Sequence, residues 1–370
     1  MPTRRTLLRS ATALVALSLA GPVSAQSAEP TRVVATFSIL GDMVERIGGE
    51  HVAVTTLVGP NGDAHVYQPT PAAARAVSEA EVLVVNGLEF EGWLDRLIDA
   101  SDFGGLRVVA TAEVEPIAFD GHHDDHGDHG DEHAEHDHDH DHGEEHAEAE
   151  HDHDHGEEHA EAEHDHDHAE EHAEAEHEHD HEEHASAGHD HHDHGAFDPH
   201  AWQSLENAVI YVDNITAALA QNDPANAGTF YQNRAAYVEE IETLDAEIRE
   251  IIASLPADRR TVVTSHDAFQ YFGRDYGLTF LSPLGLSTEA EASAQDVARL
   301  IEQMRDEGIS AVFIENITDS RLLEQIANET GATVGGTLYP GALSGPDGPA
   351  PTYLDMMRHN ATTLAGSLES

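Results

Sequence analysis

Residues 121–195 cannot fold onto a core, and this decides where the rest of the chain must. The stretch holds 26 of the chain's 31 histidines and 31 of its 72 acidic residues, with no Lys or Arg. It is an internal repeat: His138–Glu150, His151–Glu163 and His164–Glu176 are near copies of HDHDHGEEHAEAE, and a fourth copy degrades after His177. Such low-complexity polar sequence lacks the apolar area that offsets chain ordering, so disorder is expected without metal. The rest of the 370 residues suffices for two medium lobes.

Imidazole and carboxylate both ligate divalent metals of borderline softness. In an extended HDHDH segment the histidines share one face. This makes His138, His140 and His142, then His151, His153 and His155, then His164, His166 and His168 expected weak metal sites. Pairs such as His155 and His159, or His168 and His172, would share a helix face instead. Of the formal charge of −55, the insert supplies 31 units and the remainder 24. Acid in such excess argues against nucleic acid and anionic lipid as partners and fits a cation ligand. There is no cysteine, which excludes a Cys-built zinc finger, a disulfide and a lipidated N-terminal cysteine.

Arg4, Arg5 and Arg9 precede the apolar run Ala11–Ala20, and Val23-Ser24-Ala25 has the small-x-small form of a cleavage site. Residues 1–25 therefore read as a cleaved export signal, with a twin-arginine shape in Thr3–Arg9. The run falls short of the roughly 20 residues a membrane span needs. A soluble periplasmic chain starting near Gln26 is expected, with no membrane insertion.

From Thr31 onward strands and helices alternate. Arg32–Phe37, Val52–Val58, Glu81–Asn86 and Leu106–Ala110 read as strands, and Ile39–Ile47, Pro71–Ala80 and Trp93–Ile98 as helices. Beyond the insert, Leu205–Leu219 is helical. Tyr237, Ile241, Leu244, Ile248, Ile251 and Leu255 then recur at three- and four-residue steps, making Thr229–Ala253 one long amphipathic helix stopped by Pro256. Alternation resumes with strands at Thr261–Thr264, Leu278–Leu281 and Ala311–Glu315 and helices at Ala294–Arg305, Asp319–Glu329 and Tyr353–Leu364. The pattern predicts an α/β chain of two lobes, each a mostly parallel sheet flanked by helices. The first spans 26–228 and contains the insert, a linking helix spans 229–255, and the second lobe spans 256–370.

Five histidines lie outside the insert: His51, His65, His200, His266 and His359. His51, at the start of a strand, and His359, on a terminal helix, read as surface residues. His65 follows a strand in a Gly/Pro/Asn loop, Gly59–His65. His200 follows Asp198-Pro199, which suit the cap and first turn of a helix. His266 closes Val262-Val263-Thr264-Ser265-His266, at the carboxyl end of a buried strand, where open α/β sheets bind ligands.

These three segments carry a family resemblance. Asn61-Gly62-Asp63-Ala64-His65-Val66-Tyr67-Gln68-Pro69-Thr70-Pro71, Asp198-Pro199-His200-Ala201-Trp202 and Thr264-Ser265-His266-Asp267-Ala268-Phe269-Gln270-Tyr271-Phe272 resemble, in order, the three metal-histidine segments of cluster A-I solute-binding proteins. These are the zinc and manganese receptors of ABC importers, and the acidic His-rich insert matches their ZnuA-like zinc branch. The resemblance covers about residues 30–367. It implies two lobes joined by a long helix, with His65, His200 and His266 holding Zn2+ in the cleft. It also implies a monomer that hands its ion to an importer permease. Three imidazoles suit zinc better than manganese, which prefers oxygen. Since neutral imidazole is the donor, affinity is expected to collapse as pH drops through about 6.5.

The sequence departs from the family at the fourth ligand. Relatives place an Asp in the loop after the last strand, but Leu338–Leu343 carries no carboxylate before Asp347. Glu91 is an alternative, as is a histidine of the insert or water. An open position on a three-histidine site is also what catalytic zinc uses. A zinc hydrolase with Glu91 or Asp267 as base is therefore a rival reading, and a periplasmic zinc buffer is another. His177-Glu178-His179-Asp180-His181 satisfies H-E-x-x-H only because the repeat is rich in both residues. No nucleophile elbow or phosphate-binding loop is present, and Gly335-Gly336 is too short to mean anything.

Overall fold

The computed structural model describes residues 29–119 and 196–369. The expected export signal over 1–25, the nine expected weak metal-site histidines from His138 to His168, the paired His159 and His172, and the His177–His181 motif lie outside these residues.

The first lobe is a four-stranded parallel sheet of β1 (Thr31–Phe37), β2 (Val52–Val58), β3 (Val82–Val85) and β4 (Leu106–Val109), in the order β2-β1-β3-β4. Val33 of β1 lies between Val54 of β2 and Val82 of β3. The two central strands are buried almost throughout, as expected of a sheet covered by helices on both faces. The covering helices are α1 (Ser38–Gly48), α2 (Pro71–Glu79), α3 (Leu94–Ser101) and, after the insert, α4 (Leu205–Asn222). Local chemistry starts α2 and α4 where the sequence places them. Thr70 accepts from Ala73 N with Pro71 in the first turn, and Ser204 accepts from Asn207 N.

The second lobe repeats this topology. Strands β5 (Thr261–Val263), β6 (Thr279–Leu281), β7 (Ala311–Glu315) and β8 (Thr333–Leu338) are parallel in the order β6-β5-β7-β8. Its helices are α6 (Gln270–Tyr276), α7 (Ala294–Glu307), α8 (Arg321–Thr330) and α9 (Tyr353–Leu368). In both sheets the second strand lies on one side of the first and the third on the other. Each lobe therefore has a crevice at the carboxyl ends of its first and third strands, where such sheets take ligands.

Helix α5 (Ala227–Ala253) is the long connector the periodicity predicts. Its buried stripe is Phe230, Tyr237, Val238, Ile241, Leu244, Ile248 and Ile252. It packs on α1 and α4 of the first lobe and on α6 and α9 of the second, so one continuous core runs through both. A smaller core, built on Leu300, Met304, Val312 and Ile326, lies under α7 and α8.

Four local expectations need correction. Gly335-Gly336 is not meaningless: it lies within β8, a strand absent from the sequence reading. A Cβ on Gly335 would come within 2.5 Å of the Phe313 ring, and Gly336 has φ of +142° beside an irregularity in the β7–β8 register. The strand needs both glycines for close approach and a kink, and the lack of side chains hid it. The short helix α6 was also not anticipated. His51 lies in a 3₁₀ turn before β2, its ring edge-on to Phe230. His359 is half-buried rather than superficial, its Nε2 3.0 Å from the Thr337 carbonyl, which ties α9 to β8.

Replacing Ile241, at the middle of the α5 stripe, by Ala should cost about 2–5 kcal/mol in urea unfolding, as for other buried large-to-small changes. A loss below about 1 kcal/mol would mean that α5 is not core to the fold.

Candidate metal centre

Each lobe contributes to the site from the carboxyl edge of its sheet. His65 lies in the loop after β2. Asn61 turns that loop with φ of +55°, and Trp93 Nε1 donates to the Ala64 carbonyl at 2.8 Å. Asp63 Oδ1 accepts from His65 N at 2.9 Å, a local turn that fixes where the side chain departs. His200 precedes a 3₁₀ turn, Ala201–Gln203. His266 lies three residues past β5, where His266 bridges to Leu284.

The three rings meet. Their centroids lie 5.3 to 5.6 Å apart, and one nitrogen from each falls within 4.8 Å of the others. His65 Nε2 and His200 Nε2 are 3.2 Å apart. Two imidazoles bound to one tetrahedral ion at about 2.0–2.1 Å place their nitrogens roughly 3.3 Å from each other. His266 Nε2 is buried without a hydrogen-bond partner among the described residues, a costly state unless something binds there.

Two carboxylates orient the rings. Asp198 Oδ1 takes His200 Nδ1 at 2.8 Å and His200 N at 2.9 Å. Glu315 Oε2 takes His266 Nδ1 at 2.6 Å, while its Oε1 accepts from Ser265 N and His266 N at 3.0 and 3.1 Å. Each ring thus donates Nδ1–H to its carboxylate and presents a bare Nε2, the arrangement that fixes tautomer and direction in metal sites. Neither role follows from the local sequence pattern alone. Asp198 holds His200 and caps no helix, for α4 is capped by Ser204. Glu315 was read only as the end of a strand. A Glu closing the buried run AVFIE was itself the signal, since a charge there needs a partner.

Electrostatics separates the three rings. Burial pushes His65 and His200 well below the ordinary histidine pKa, helped in His65 by repulsion from the other two. Burial also opposes charge on His266. The Glu315 carboxylate, with Asp63 and Asp267 behind it, outweighs that and holds its pKa above 6.5. Burial raises Asp198 to about 7.

Glu91 is not available as a fourth ligand. It is buried, and its oxygens accept from Thr36 Oγ1 at 2.6 Å, Asn86 N at 2.7 Å and Gly87 N at 3.3 Å. It braces the crevice between β1 and β3. The loop after β8 is buried without a carboxylate. Its Pro340 carbonyl accepts from Trp202 Nε1 and Gln203 Nε2, and Asp347 is exposed. Among the described residues only His65, His200 and His266 form a group able to hold a metal.

The insert leaves and rejoins the fold at one point. Phe119 N donates to the Ala196 carbonyl, Asp198 N to the Ile117 carbonyl, and Ala118 bridges Phe197 antiparallel. No helix of the described residues is long and apolar enough to cross a membrane.

The family model described as "Zinc-uptake complex component A periplasmic" matches residues 33–367. The chain is 28% identical to the iron-binding protein YfeA of Yersinia pestis, over 92% of this chain and 86% of that one. It is 27% identical to the manganese-binding lipoprotein MntA of Bacillus subtilis, over 91% and 90%. A manganese-bound periplasmic metal-binding protein from Candidatus Liberibacter asiaticus superposes with a TM-score of 0.66 at 28% identity, covering 91% of this chain and 99% of that one. The periplasmic zinc-binding protein TroA of Treponema pallidum shares the fold, with a TM-score of 0.69 at 23% identity over 92% and 99%.

A bound ion needs all three rings neutral. As pH falls, His266 takes a proton first, at a pKa above 6.5, and His65 and His200 follow only in much stronger acid. Metal affinity measured by calorimetry should therefore begin to fall above pH 6.5 with a one-proton slope and steepen later. A single steep three-proton collapse at 6.5 would contradict this ordering.

Proposed function

The chain belongs to the ZnuA family of metal-binding proteins that serve ABC importers outside the cytoplasm, and we propose that its cargo is zinc, held between the lobes by His65, His200 and His266. The family consists of substrate-binding proteins, so the hydrolase reading falls, and delivery to a permease replaces the idea of a free-standing buffer. The relatives bear names for iron, manganese and zinc, so the cargo has to be argued from the donors of this chain.

The observation that carries the zinc reading is the donor set. Three nitrogens converge, two of them 3.2 Å apart, with no carboxylate in the group. Manganese favours oxygen, whereas imidazole suits zinc. The carboxylates Asp198 and Glu315 act on the far sides of their rings, where they raise donor strength and leave the ion a nitrogen-only face. The fourth position is proposed to go to water or to a histidine of the insert.

The insert is proposed as a weak, many-site collector around His138–His168. Its role is to raise the local ion concentration beside a tight site, which speeds capture without adding to the affinity of that site. The backbone bonds of Phe119 to Ala196 and of Asp198 to Ile117 tie the chain together on either side of it, which supports treating the insert as removable. Export by a cleaved signal over 1–25 belongs to the same proposal.

Deleting Gly121–Gly195 should leave one tight zinc site in calorimetry, abolish the weak ones, and leave equimolar manganese unable to displace the ion. Adding His266→Ala should remove the remaining site. A deletion protein that binds no zinc, or that yields its ion to manganese, would overturn the proposal.

A further inference from the structure

The three metal-facing histidines are not held alike. His200 and His266 each have a carboxylate on Nδ1. Among the described residues nothing bonds Nδ1 of His65. Its ring packs edge-on against Phe90 at 4.7 Å, Trp93 holds the neighbouring Ala64 carbonyl, and Asp63 Oδ1 holds its backbone N. What holds Asp63 therefore contributes to where His65 points.

The other oxygen of Asp63 is held from the opposite lobe. Thr288 Oγ1 donates to Asp63 Oδ2 at 2.5 Å. Thr288 lies in the irregular segment between β6 and α7, residues 282–293. The same segment grips the His266 loop: Leu284 bridges His266, and Gly285 O accepts from Asp267 N at 3.0 Å. One second-lobe loop thus touches the residues next to a metal-facing histidine in each lobe. A cavity of about 560 Å³ lies against it, lined among others by Asp63, Pro283, Leu284, Thr288, Leu322 and Leu323.

We propose that Thr288 is a positioning residue for metal retention: its hydroxyl, arriving from the second lobe, locks Asp63 and through it the backbone of His65. The proposal rests on the zinc-capture reading above. It makes the approach of the lobes and the alignment of His65 a single event. When the lobes part, Asp63 loses its cross-lobe donor, and His65, the ring without a carboxylate brace, is the first to leave the ion. Release to a permease then needs only a small separation at this edge of the cleft, and the long helix α5 need not bend.

The test is the slow phase of zinc release from the full-length protein into excess chelator, in wild type, Thr288→Val and Thr288→Ser. Valine keeps the shape and removes the donor; serine restores the donor. A lost hydrogen bond to a carboxylate corresponds to about a tenfold change. Release from the valine variant should be about tenfold faster, with serine close to wild type. The shift in melting temperature on adding zinc should shrink in the valine variant alone. A purely structural contact would lower the melting temperature of the metal-free protein and leave the release rate unchanged. An unchanged rate in the valine variant, or a serine variant as fast as valine, overturns the latch and leaves the capture site standing. A wild-type protein with no slow phase overturns both.

Discussion

Two buried ion-pair-like contacts organise the site: Asp198 on His200 and Glu315 on His266. An imidazole has two nitrogens and can turn either toward a ligand. Here one nitrogen of each ring is committed to a carboxylate that is itself secured by backbone amides, so the other points into the space between the lobes. Burial alone would leave these rings as ordinary neutral core histidines. With the carboxylates, they become directed donors that meet from opposite sheets. The cost of burying Glu315 is met by hydrogen bonds to two amides and a ring, whereas Asp198, with one amide and one ring on a single oxygen, is left with burial raising it to about 7.

The fold supplies the meeting place. Each lobe repeats one strand order, and each brings its contributions to the crevice at the carboxyl ends of its first and third strands. His266 and Glu315 come from the ends of β5 and β7, while Thr36 and Glu91 brace the matching crevice of the first lobe. The shared core along α5 holds the two crevices face to face. Tyr271 strengthens that register, its hydroxyl donating to the Asp198 carbonyl and accepting from Ile117 N. The second lobe thereby reaches the His200 loop as well as the His65 loop.

Much of this was legible in the sequence, for definable reasons. The strands and α5 announce themselves through apolar runs and three- and four-residue periodicity, because burial imposes those patterns directly. The three histidines stood out because the fold outside the insert has so few, and each sits in a loop that follows or precedes regular structure. The strand β8 was hidden because what it needs is the absence of side chains at Gly335 and Gly336. Asp198 was misread because Asp-Pro before a turn is also good capping chemistry, and only coordinates tell which donor the carboxylate meets. Glu91 looked available because its three partners, Thr36, Asn86 and Gly87, include one from a distant strand and two amides that carry no sequence signal. The Thr288–Asp63 contact spans 225 positions and has no local signature at all.

The central claim is that three imidazoles from two lobes bind one ion through nitrogen. X-ray absorption at the zinc edge, on protein lacking Gly121–Gly195 and loaded with a single equivalent of zinc, tests it most directly. The account predicts three imidazole nitrogens at about 2.0–2.1 Å with the multiple-scattering signature of the rings. A first shell dominated by carboxylate oxygen, or one with fewer than three imidazoles, would contradict it.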